Sequence, residues 1–200
     1  MREALKSLLR GVAAVAVLPR LTMYRTMAAM VGRDHALEGA TQSLARVPGL
    51  RGEYLRRAFL SRTIASCHPT ATVCWGTVFS KTGAAIDAHA YVGAGCHLGL
   101  VHLEEDVLLA SGVHVPSGAQ THGTEDPGVP IREQPGKLTM VRIGRGTWVG
   151  SGAIVMADVG SNSVVAAGSV VTRPVPDGVI AAGAPARVIR TRVPGERREA

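Results

Sequence analysis

Aromatic side chains are scarce in this 200-residue chain, in which Phe, Trp and Tyr together make up 4% of the sequence. Its core must therefore be aliphatic, because hydrophobic residues still reach 46%. The scarcity also argues against nucleic acid as a partner, since strand-binding surfaces stack bases on aromatic rings and most basic residues here lie near the two ends. The formal charge of +7 instead favours a nucleotide, a phosphorylated cofactor or a membrane surface.

Cysteine is also scarce, and the three residues present, Cys67, Cys74 and Cys96, include no closely spaced pair. An odd number of cysteines in a chain of this length is a poor disulfide framework, so we expect a reducing, cytoplasmic setting. Charged residues make up 18% of the sequence, which together with the high hydrophobic content excludes disorder as the dominant state. The length allows one domain, with at most a small extension.

Near the start of the chain, the apolar run from Gly11 to Leu18 covers only eight residues, which is too short to cross a bilayer. Four apolar side chains follow helical spacing: Leu5, Leu8, Leu9 and Val12. Three basic side chains repeat every four residues on another face: Arg2, Lys6 and Arg10. This arrangement is typical of a helix lying in a membrane interface, here as a peripheral contact with the inner face. A helix packed on its own domain or on a neighbouring subunit, and a signal peptide, are the alternatives.

The spacing of apolar residues changes after residue 62. Up to that point it stays helical, and Gly52–Arg62 predicts a short amphipathic helix. Beyond it, twelve aliphatic residues recur mostly every six positions: Ile86, Val92, Leu98, Leu103, Leu109, Val115, Ile143, Val149, Val155, Val159, Val165 and Val171. Three positions after nine of them stands Gly, Asn or Asp, which tolerate positive φ: Gly95, Asp106, Gly112, Gly118, Gly146, Gly152, Asp158, Asn162 and Gly168. A loop at 116–142 interrupts the repeat.

A period of six fits neither a helix, whose face repeats every 3.6 residues, nor an isolated strand, whose face repeats every two. It predicts a short strand, a turn and another short strand, stacked into coils whose aliphatic positions form inward ladders. Each aliphatic side chain that is fully buried contributes roughly 1.5 to 3 kcal/mol. Because one coil cannot bury its face alone, the array should be cooperative.

This repeat closely resembles that of the hexapeptide-repeat acyltransferases over about Ala71–Arg190. The resemblance implies an all-β left-handed parallel β-helix with an α-helical N-terminal segment. Further short matches resemble the branch of the family that acetylates polysaccharides or their sugar precursors: Gly52 to Phe59, Gly76 to Ser80, Pro130 to Gln134 and Ala182 to Arg190. We therefore expect a helical segment at 1–62, a β-helix at 63–183 that contains the loop 116–142, and a basic tail at 184–200.

Transfer of an acyl group from a thioester to a hydroxyl needs a base for the hydroxyl proton, and imidazole, which titrates near neutrality, suits this task. Of seven histidines, His122 lies in the interrupting loop, where a side chain can be aimed at a cleft. It also matches the family's catalytic histidine, although a solvated loop histidine is the alternative. Glu125, Asp126 or a backbone carbonyl would orient the ring. Direct attack on the thioester needs no acyl-enzyme, so three residues are not expected to be nucleophiles: Cys96, Ser117 and Ser151.

The resemblance also implies acetyl-coenzyme A as co-substrate, bound along the coils between two subunits of a homotrimer. The positions that match the family's donor site are Trp148, Gly150, Ser151, Ala167, Gly168, Thr172, Arg173, Arg187 and Arg190. Small residues let a ligand run close to the backbone, and arginines bind phosphate groups. Trp148 directly precedes an inward valine, so its side chain should point outward. A surface aromatic and a solvated basic tail are the alternatives.

As acceptor we expect a hydroxyl of a sugar, a polysaccharide or its lipid-linked precursor, contacted by Arg132 and His97. An antibiotic or amino-acid acceptor and a non-catalytic, membrane-docked β-helix scaffold are the alternative functions. Another branch with this fold resembles zinc carbonic anhydrases, which use three histidines at a subunit interface. His68, His97 and His102 copy that spacing poorly, so no metal is expected.

Overall fold

Four helices lead into a β-solenoid in the computed structural model, which describes residues 2–192 and, for side chains, residues 4–192. The helices are α1 (Arg2–Ala16), α2 (Leu18–Val31), α3 (Arg33–Ala45) and α4 (Gly49–Leu60). The predicted amphipathic helix therefore corresponds to α4, which begins and ends two or three residues earlier than expected. Within the described range, none of the helices combines the length and hydropathy needed for a membrane crossing.

Sixteen short strands follow in the described residues, and a 3-10 helix (Ile131–Glu133) lies in the loop between the ninth and the tenth. The strands are β1 (Ser66–Cys67), β2 (Thr72–Val73), β3 (Val78–Phe79), β4 (Ala85–Ile86), β5 (Tyr91–Val92), β6 (His97–Leu98), β7 (Val101–Leu103), β8 (Leu108–Leu109), β9 (His114–Val115), β10 (Val141–Ile143), β11 (Trp148–Val149), β12 (Ile154–Val155), β13 (Val164–Val165), β14 (Val170–Val171), β15 (Val179–Gly183) and β16 (Ala186–Thr191).

These strands form three sheets that run along the solenoid. Sheet A has the order β1-β4-β7-β10, sheet B the order β2-β5-β8-β11-β13-β15-β16, and sheet C the order β3-β6-β9-β12-β14. Neighbouring strands are parallel except β15 and β16, which are antiparallel. Each coil visits the three sheets in turn, and the solenoid has about six turns, which confirms the predicted left-handed β-helix with a helical N-terminal segment.

The aliphatic ladder is also confirmed, because all twelve residues of the six-residue repeat are buried, each with at most 2% of its surface exposed. Eight of the nine predicted left-handed positions have positive φ. The exception is Asp158, which lies in a turn that is two residues shorter than the regular repeat. Its carboxylate accepts a hydrogen bond from the Arg142 N–H at 2.8 Å, so it links neighbouring coils instead of forming a left-handed corner.

Helices α3 and α4 cover the open end of the solenoid by satisfying backbone groups of the first coil. The Thr41 hydroxyl donates to the Phe79 carbonyl and accepts from the Phe79 N–H, both at 3.1 Å. The Arg57 guanidinium donates to the Ala71 carbonyl at 2.9 Å. The Gly76 N–H donates to the Ala45 carbonyl at 3.0 Å. The edge strands β2 and β3 are therefore not available for pairing with another chain.

Arg56 is the most buried cation of this cap, with 2% of its surface exposed. Its guanidinium donates to the carbonyls of Val73 at 2.9 Å, Leu44 at 3.1 Å and Val47 at 2.7 Å, and so ties the first coil to the end of α3. A Cβ atom at Gly52, one helical turn before it, would overlap the Val47 carbonyl. The Gly52 to Phe59 segment is thus a structural motif that joins the helices to the coils.

The C-terminal boundary differs in detail from the expected basic tail at 184–200. Residues Ala186–Thr191 form β16, which pairs with β15 at the end of sheet B, and residues 193–200 lie outside the described part of the chain. The loop between β9 and β10 spans residues 116–140, in agreement with the interruption seen in the repeat. It leaves the solenoid at the corner between sheets C and A.

Replacing Arg56 by Met should destabilise the fold by about 3 kcal/mol or more, because three buried carbonyls lose hydrogen bonds from a charged donor. Urea unfolding at one fixed protein concentration would measure the change in free energy of unfolding. Arg62→Met is the matched control, since Arg62 is exposed and bonds only within its own segment, to Ala58 and Ser61. It should change stability by less than about 0.5 kcal/mol. Equal effects of the two variants would contradict the role assigned to Arg56.

Candidate functional site

The outer surface of sheet C and the interrupting loop enclose a cleft of about 530 Å³, within the usual range for small-molecule sites. Its floor is built from outward-facing residues of successive coils, among them His97, His114 and Ile154. The rings of His97 and His114 are stacked, with centroids 5.0 Å apart and an interplanar angle of 19°. Thr121, His122 and Leu138 of the loop line the other side.

The loop is held over sheet C by hydrogen bonds between its outgoing and returning arms. The Thr139 N–H donates to the Ser117 carbonyl at 2.8 Å, and the Lys137 N–H donates to the Gln120 carbonyl at 2.7 Å. Gly136 lies against the Thr121 carbonyl so closely that a Cβ atom there would overlap it, and the same atom would lie 2.8 Å from the His122 nitrogen. The backbone of His122 is therefore fixed by its neighbours in the loop.

The His122 side chain is exposed and lines the cleft over sheet C as well as a second groove of about 460 Å³ within the loop. None of the described residues forms a hydrogen bond or ion pair with its imidazole. Glu125 and Asp126 line the second groove together with His122. The imidazole is thus accessible from two sides.

Asp126 has a structural task in the loop. Its carboxylate accepts the Gly128 N–H at 2.8 Å, and its backbone exchanges hydrogen bonds with the Gln134 side chain at 3.1 and 2.7 Å. Glu125 makes no hydrogen bond within the described part of the chain. The roles predicted for these two acids toward His122 remain predictions.

Four of the nine predicted donor-site residues lie at the corner between sheets B and C. Gly150 and Ser151 follow β11, and Ala167 and Gly168 follow β13 on the next coil, where the Gly168 N–H donates to the Ser151 carbonyl at 2.8 Å. This corner consists of small residues on successive coils. A ligand could therefore approach the backbone closely along it.

Trp148 points outward from sheet B, as predicted, and 51% of the residue's surface is exposed. Its neighbours in register are Leu108 and, one strand further, Tyr91, which are exposed as well. His122 instead lies over sheet C. One chain thus places the predicted base and the predicted thiol-end tryptophan on different faces of the solenoid.

The remaining predicted binding residues, one threonine and four arginines, lie in three places. Thr172 and Arg173 follow β14 at the C–A corner, on the side where the loop leaves the solenoid. Two arginines lie on β16, with Arg187 opposite Ala182 and Arg190 opposite Ile180. Arg132 belongs to the 3-10 helix of the loop, where it forms an exposed ion pair with Glu133 at 3.1 Å.

The three residues that are not expected to act as nucleophiles lie in different surroundings. Burial raises the pKa of the Cys96 thiol to about 11, so the reactive thiolate is scarce at neutral pH. The Ser117 hydroxyl is buried and accepts the Leu100 N–H at 2.9 Å. Ser151 is exposed at the B–C corner.

The three histidines considered as zinc ligands, His68, His97 and His102, lie apart from one another. His97 lies on sheet C, His102 lies on sheet A beside Asp87 at 2.9 Å, and His68 bonds to Thr70 at 2.8 Å. Within residues 2–192, no group of His, Cys, Asp and Glu is arranged to hold a metal ion.

His114 also lines the cleft, although sequence reasoning did not name it as a site residue. The signal was present, because His114 precedes the inward Val115 as His97 precedes the inward Leu98. Equivalent positions on successive coils stack in register, as β6 and β9 do here. Counting positions along the repeat therefore predicts that the His97 and His114 imidazoles are neighbours.

Comparison with known proteins confirms the hexapeptide repeat. The family model described as the hexapeptide repeat of succinyl-transferase matches residues 140–173. Galactoside O-acetyltransferase of Escherichia coli (strain K12) is 48% identical over 52 residues, which are 25% of this chain and 26% of that protein. The 2,3,4,5-tetrahydropyridine-2,6-dicarboxylate N-acetyltransferase of Clostridium perfringens (strain SM101 / Type A) is 38% identical over 81 residues, or 40% of this chain and 31% of that protein.

The chain thus spans between a quarter and a third of the length of these curated relatives. Among solved structures, AntD, an N-acyltransferase from Bacillus cereus in complex with dTDP and 3-hydroxybutyryl-CoA, has a TM-score of 0.53 to this chain. The two are 18% identical, and the superposition covers 62% of this chain and 70% of AntD. This similarity shows that the solenoid fold is shared.

Substituting Gly136 by Ala should displace the His122 segment, because the added Cβ atom would overlap the Thr121 carbonyl. The ring resonances of His122 in an NMR spectrum are expected to shift, while those of His35 on α3 stay unchanged. Gly128→Ala is the control, since its Cβ atom would meet only the Asp126 carboxylate at 3.2 Å. If both variants left the His122 resonances in place, the tight closure of the loop would be refuted.

Proposed function

We propose that this hexapeptide-repeat protein is an acetyl-coenzyme A-dependent O-acetyltransferase that acts on a hydroxyl of a sugar, a polysaccharide or its lipid-linked precursor. The His122 imidazole takes the hydroxyl proton while the acceptor oxygen attacks the thioester carbonyl carbon. The new ester bond forms as the carbon–sulfur bond breaks, and the proton returns from the imidazole to the leaving thiolate. The products are the acetyl ester and free coenzyme A.

The observation that carries this proposal is the position of His122. A solvated loop histidine would lie anywhere on the surface, whereas His122 lines a cleft that is large enough for a small molecule. Its backbone is closely confined by Gly136, and its ring has no partner among the described residues that would compete with an acceptor hydroxyl. A general base requires such an accessible and positioned side chain.

The donor, acetyl-coenzyme A, would lie along the B–C corner, where small residues leave the protein backbone accessible. Trp148 would contact the thiol end, and the coil residues Gly150, Ser151, Ala167 and Gly168 would contact the chain of the cofactor. Toward the nucleotide, the proposal assigns the phosphate contacts to residues outside that corner, namely Thr172 and Arg173 at the C–A corner and Arg187 and Arg190 on β16. The neighbouring fold AntD was solved with a coenzyme A thioester, which supports this class of co-substrate.

A complete site would need two copies of the chain, because His122 and Trp148 lie on different faces of one solenoid. In a cyclic homotrimer, the sheet B face of one subunit can lie beside the sheet C face of the next. The exposed side chains of Tyr91, Leu108 and Trp148 then gain a contact surface. The proposed trimer thus accounts for the separation of the predicted base from the predicted donor site.

The sugar acceptor rests on the similarity to galactoside O-acetyltransferase over 52 residues. His97, which lies in the cleft with His122, and Arg132 on the loop are the proposed acceptor contacts. The similarity to an N-acetyltransferase keeps a small-molecule amine as the second candidate acceptor. Incubating the protein with acetyl-coenzyme A and either class of acceptor, and measuring the free thiol released, separates the two.

His122→Ala should lower turnover about 10² to 10⁴-fold, the usual contribution of a general base. Thiol release from acetyl-coenzyme A with a saturating sugar acceptor is the measurement. His89→Asn is the control, because His89 is an exposed corner residue with φ of 59° and Asn tolerates that conformation. A His122→Ala variant with nearly wild-type turnover would remove the assignment.

The shared site predicts complementation between two inactive variants. His122→Ala and Trp148→Ala are each expected to be weakly active alone, whereas trimers refolded from an equal mixture should recover about a quarter of wild-type activity. That fraction is the share of interfaces at which an intact His122 meets an intact Trp148. Light scattering should give a mass about three times the 20.8 kDa of one chain. A monomeric mass, or no recovery on mixing, would contradict the shared site.

A further inference from the structure

Helices α1 and α2 carry a row of apolar side chains that the fold leaves in solvent. These residues, called the exposed stripe, have between 39% and 74% of their surface exposed: Leu5, Leu8, Val12, Val15, Met23, Met27 and Met30. They are separated by three or four positions within each helix, so they lie along one side of it. Isolated exposed hydrophobic residues are common, but a continuous row of this length marks a contact surface.

The stripe lies on one side only because the opposite side is already packed. On α1, Ala13 is buried and Leu9 half-buried, and both line a groove against Tyr54 and Leu55 of α4, whose rim includes the stripe residue Val12. On α2, Leu21 and Tyr24 are buried in the core. Helix α1 is therefore packed on its own domain, as one alternative predicted, and Leu9 belongs to that packed side and not to the exposed row. In this arrangement, the exposed stripe runs along the length of α1.

The two helices continue the row across their junction. The Val17 N–H donates to the Ala13 carbonyl and the Leu21 N–H to the Val17 carbonyl, both at 3.0 Å, so helical hydrogen bonding spans the break. Pro19, also exposed, lies four residues after Val15 and four before Met23, in step with the stripe. The exposed apolar residues thus keep a three- or four-residue spacing from residue 5 to residue 30, with Pro19 at the junction of the two helices.

The charge of α1 and α2 indicates which kind of partner binds the exposed stripe. The two helices contain five cations, Arg2, Lys6, Arg10, Arg20 and Arg25, and one acidic residue, Glu3. The seven stripe positions themselves carry no charge. A second copy of these helices would bring five more cations and only one acid to the contact, so like charges would oppose a homotypic pairing. An anionic surface with an apolar interior matches both the cations and the stripe.

We propose that the exposed stripe of α1 and α2 lies in the interface of an anionic lipid bilayer. The stripe side chains enter the boundary of the acyl chains, and the neighbouring cations remain at the level of the lipid phosphates. The helices lie parallel to the membrane plane with the β-helix on the aqueous side. This contact is independent of the proposed transferase activity, since neither helix contributes a residue assigned to catalysis.

Flotation of the full-length protein with lipid vesicles tests the proposal without acetyl-coenzyme A. The wild-type protein should float with vesicles of 70% phosphatidylcholine and 30% phosphatidylglycerol, and less with vesicles of phosphatidylcholine alone. Raising the salt to 0.5 M should weaken binding by screening the cations, although the apolar contribution should persist. No flotation with the anionic vesicles would overturn the proposal.

The stripe is tested by Leu8→Gln combined with Val15→Gln, two changes at exposed positions that should leave the fold intact. The partition coefficient for anionic vesicles should fall at least about tenfold, because two apolar side chains no longer enter the lipid. Val188→Gln with Ile189→Gln, which removes two exposed apolar residues on β16, should bind like the wild type.

Three outcomes decide between the occupants. Loss of flotation in the stripe variant, with unchanged mass in solution and unchanged thiol release with a soluble acceptor, supports lipid binding independent of the catalytic site. Equal flotation of the stripe variant and the β16 variant refutes the role of the stripe. A smaller oligomer in the stripe variant, without a change in flotation, would assign this surface to another copy of the chain and overturn the proposal.

Discussion

The structure depends on one constraint, which is that no coil of the solenoid can satisfy its own backbone or bury its own aliphatic side chains. Each two-residue strand donates and accepts between coils, as when the Trp148 N–H bonds to the Ser163 carbonyl and the Gly150 N–H to the Val165 carbonyl. The inward valines, leucines and isoleucines then form ladders that stack from one coil to the next. The first coil has no preceding neighbour, and for this reason Thr41, Arg56 and Arg57 supply its missing hydrogen bonds. The helical segment therefore takes the place of a preceding coil.

Because the interior is completed by aliphatic ladders, the outward positions of the strands are free to differ. Sheet C uses them to pair His97 with His114 beneath the loop, and sheet B uses them to present Tyr91, Leu108 and Trp148. The loop is inserted at a corner, where an excursion interrupts neither ladder, since β9 and β10 join their sheets on either side of it. The His122 imidazole can therefore be held over a rigid sheet at little cost to the core. The separation of sheets B and C around the solenoid is also the physical reason that a site using both would require neighbouring copies.

The N-terminal helices have two faces with different surroundings. Their inner side, with Leu21, Tyr24, Leu37 and Phe59, joins the core of the solenoid, and the Tyr24 and Phe59 rings meet edge to face at 5.6 Å. Their outer side carries the exposed stripe, and the two helices together contain five cations and one acid. The sequence pattern around Leu5, Leu8, Leu9 and Val12 indicated an amphipathic helix, but could not divide these residues between domain and solvent. In the folded domain, Leu9 is half-buried beside α4, whereas the other three side chains are exposed.

The sequence by itself determined the solenoid, because a six-residue period of aliphatic residues with Gly, Asn or Asp three positions later is compatible with only one kind of backbone. It also singled out His122, since a break in so regular a repeat is visible without coordinates. It missed the φ of 59° at His89 and wrongly implied positive φ at Asp158, where a shortened turn and a bond to Arg142 prevail over residue preference. Only the tertiary structure decided that His97 and His114 stack, that Asp126 bonds to its own loop, and that Trp148 and His122 occupy different faces. These facts depend on how the coils are registered and where the loop folds back, and such long-range relations are set by packing between residues distant in the chain.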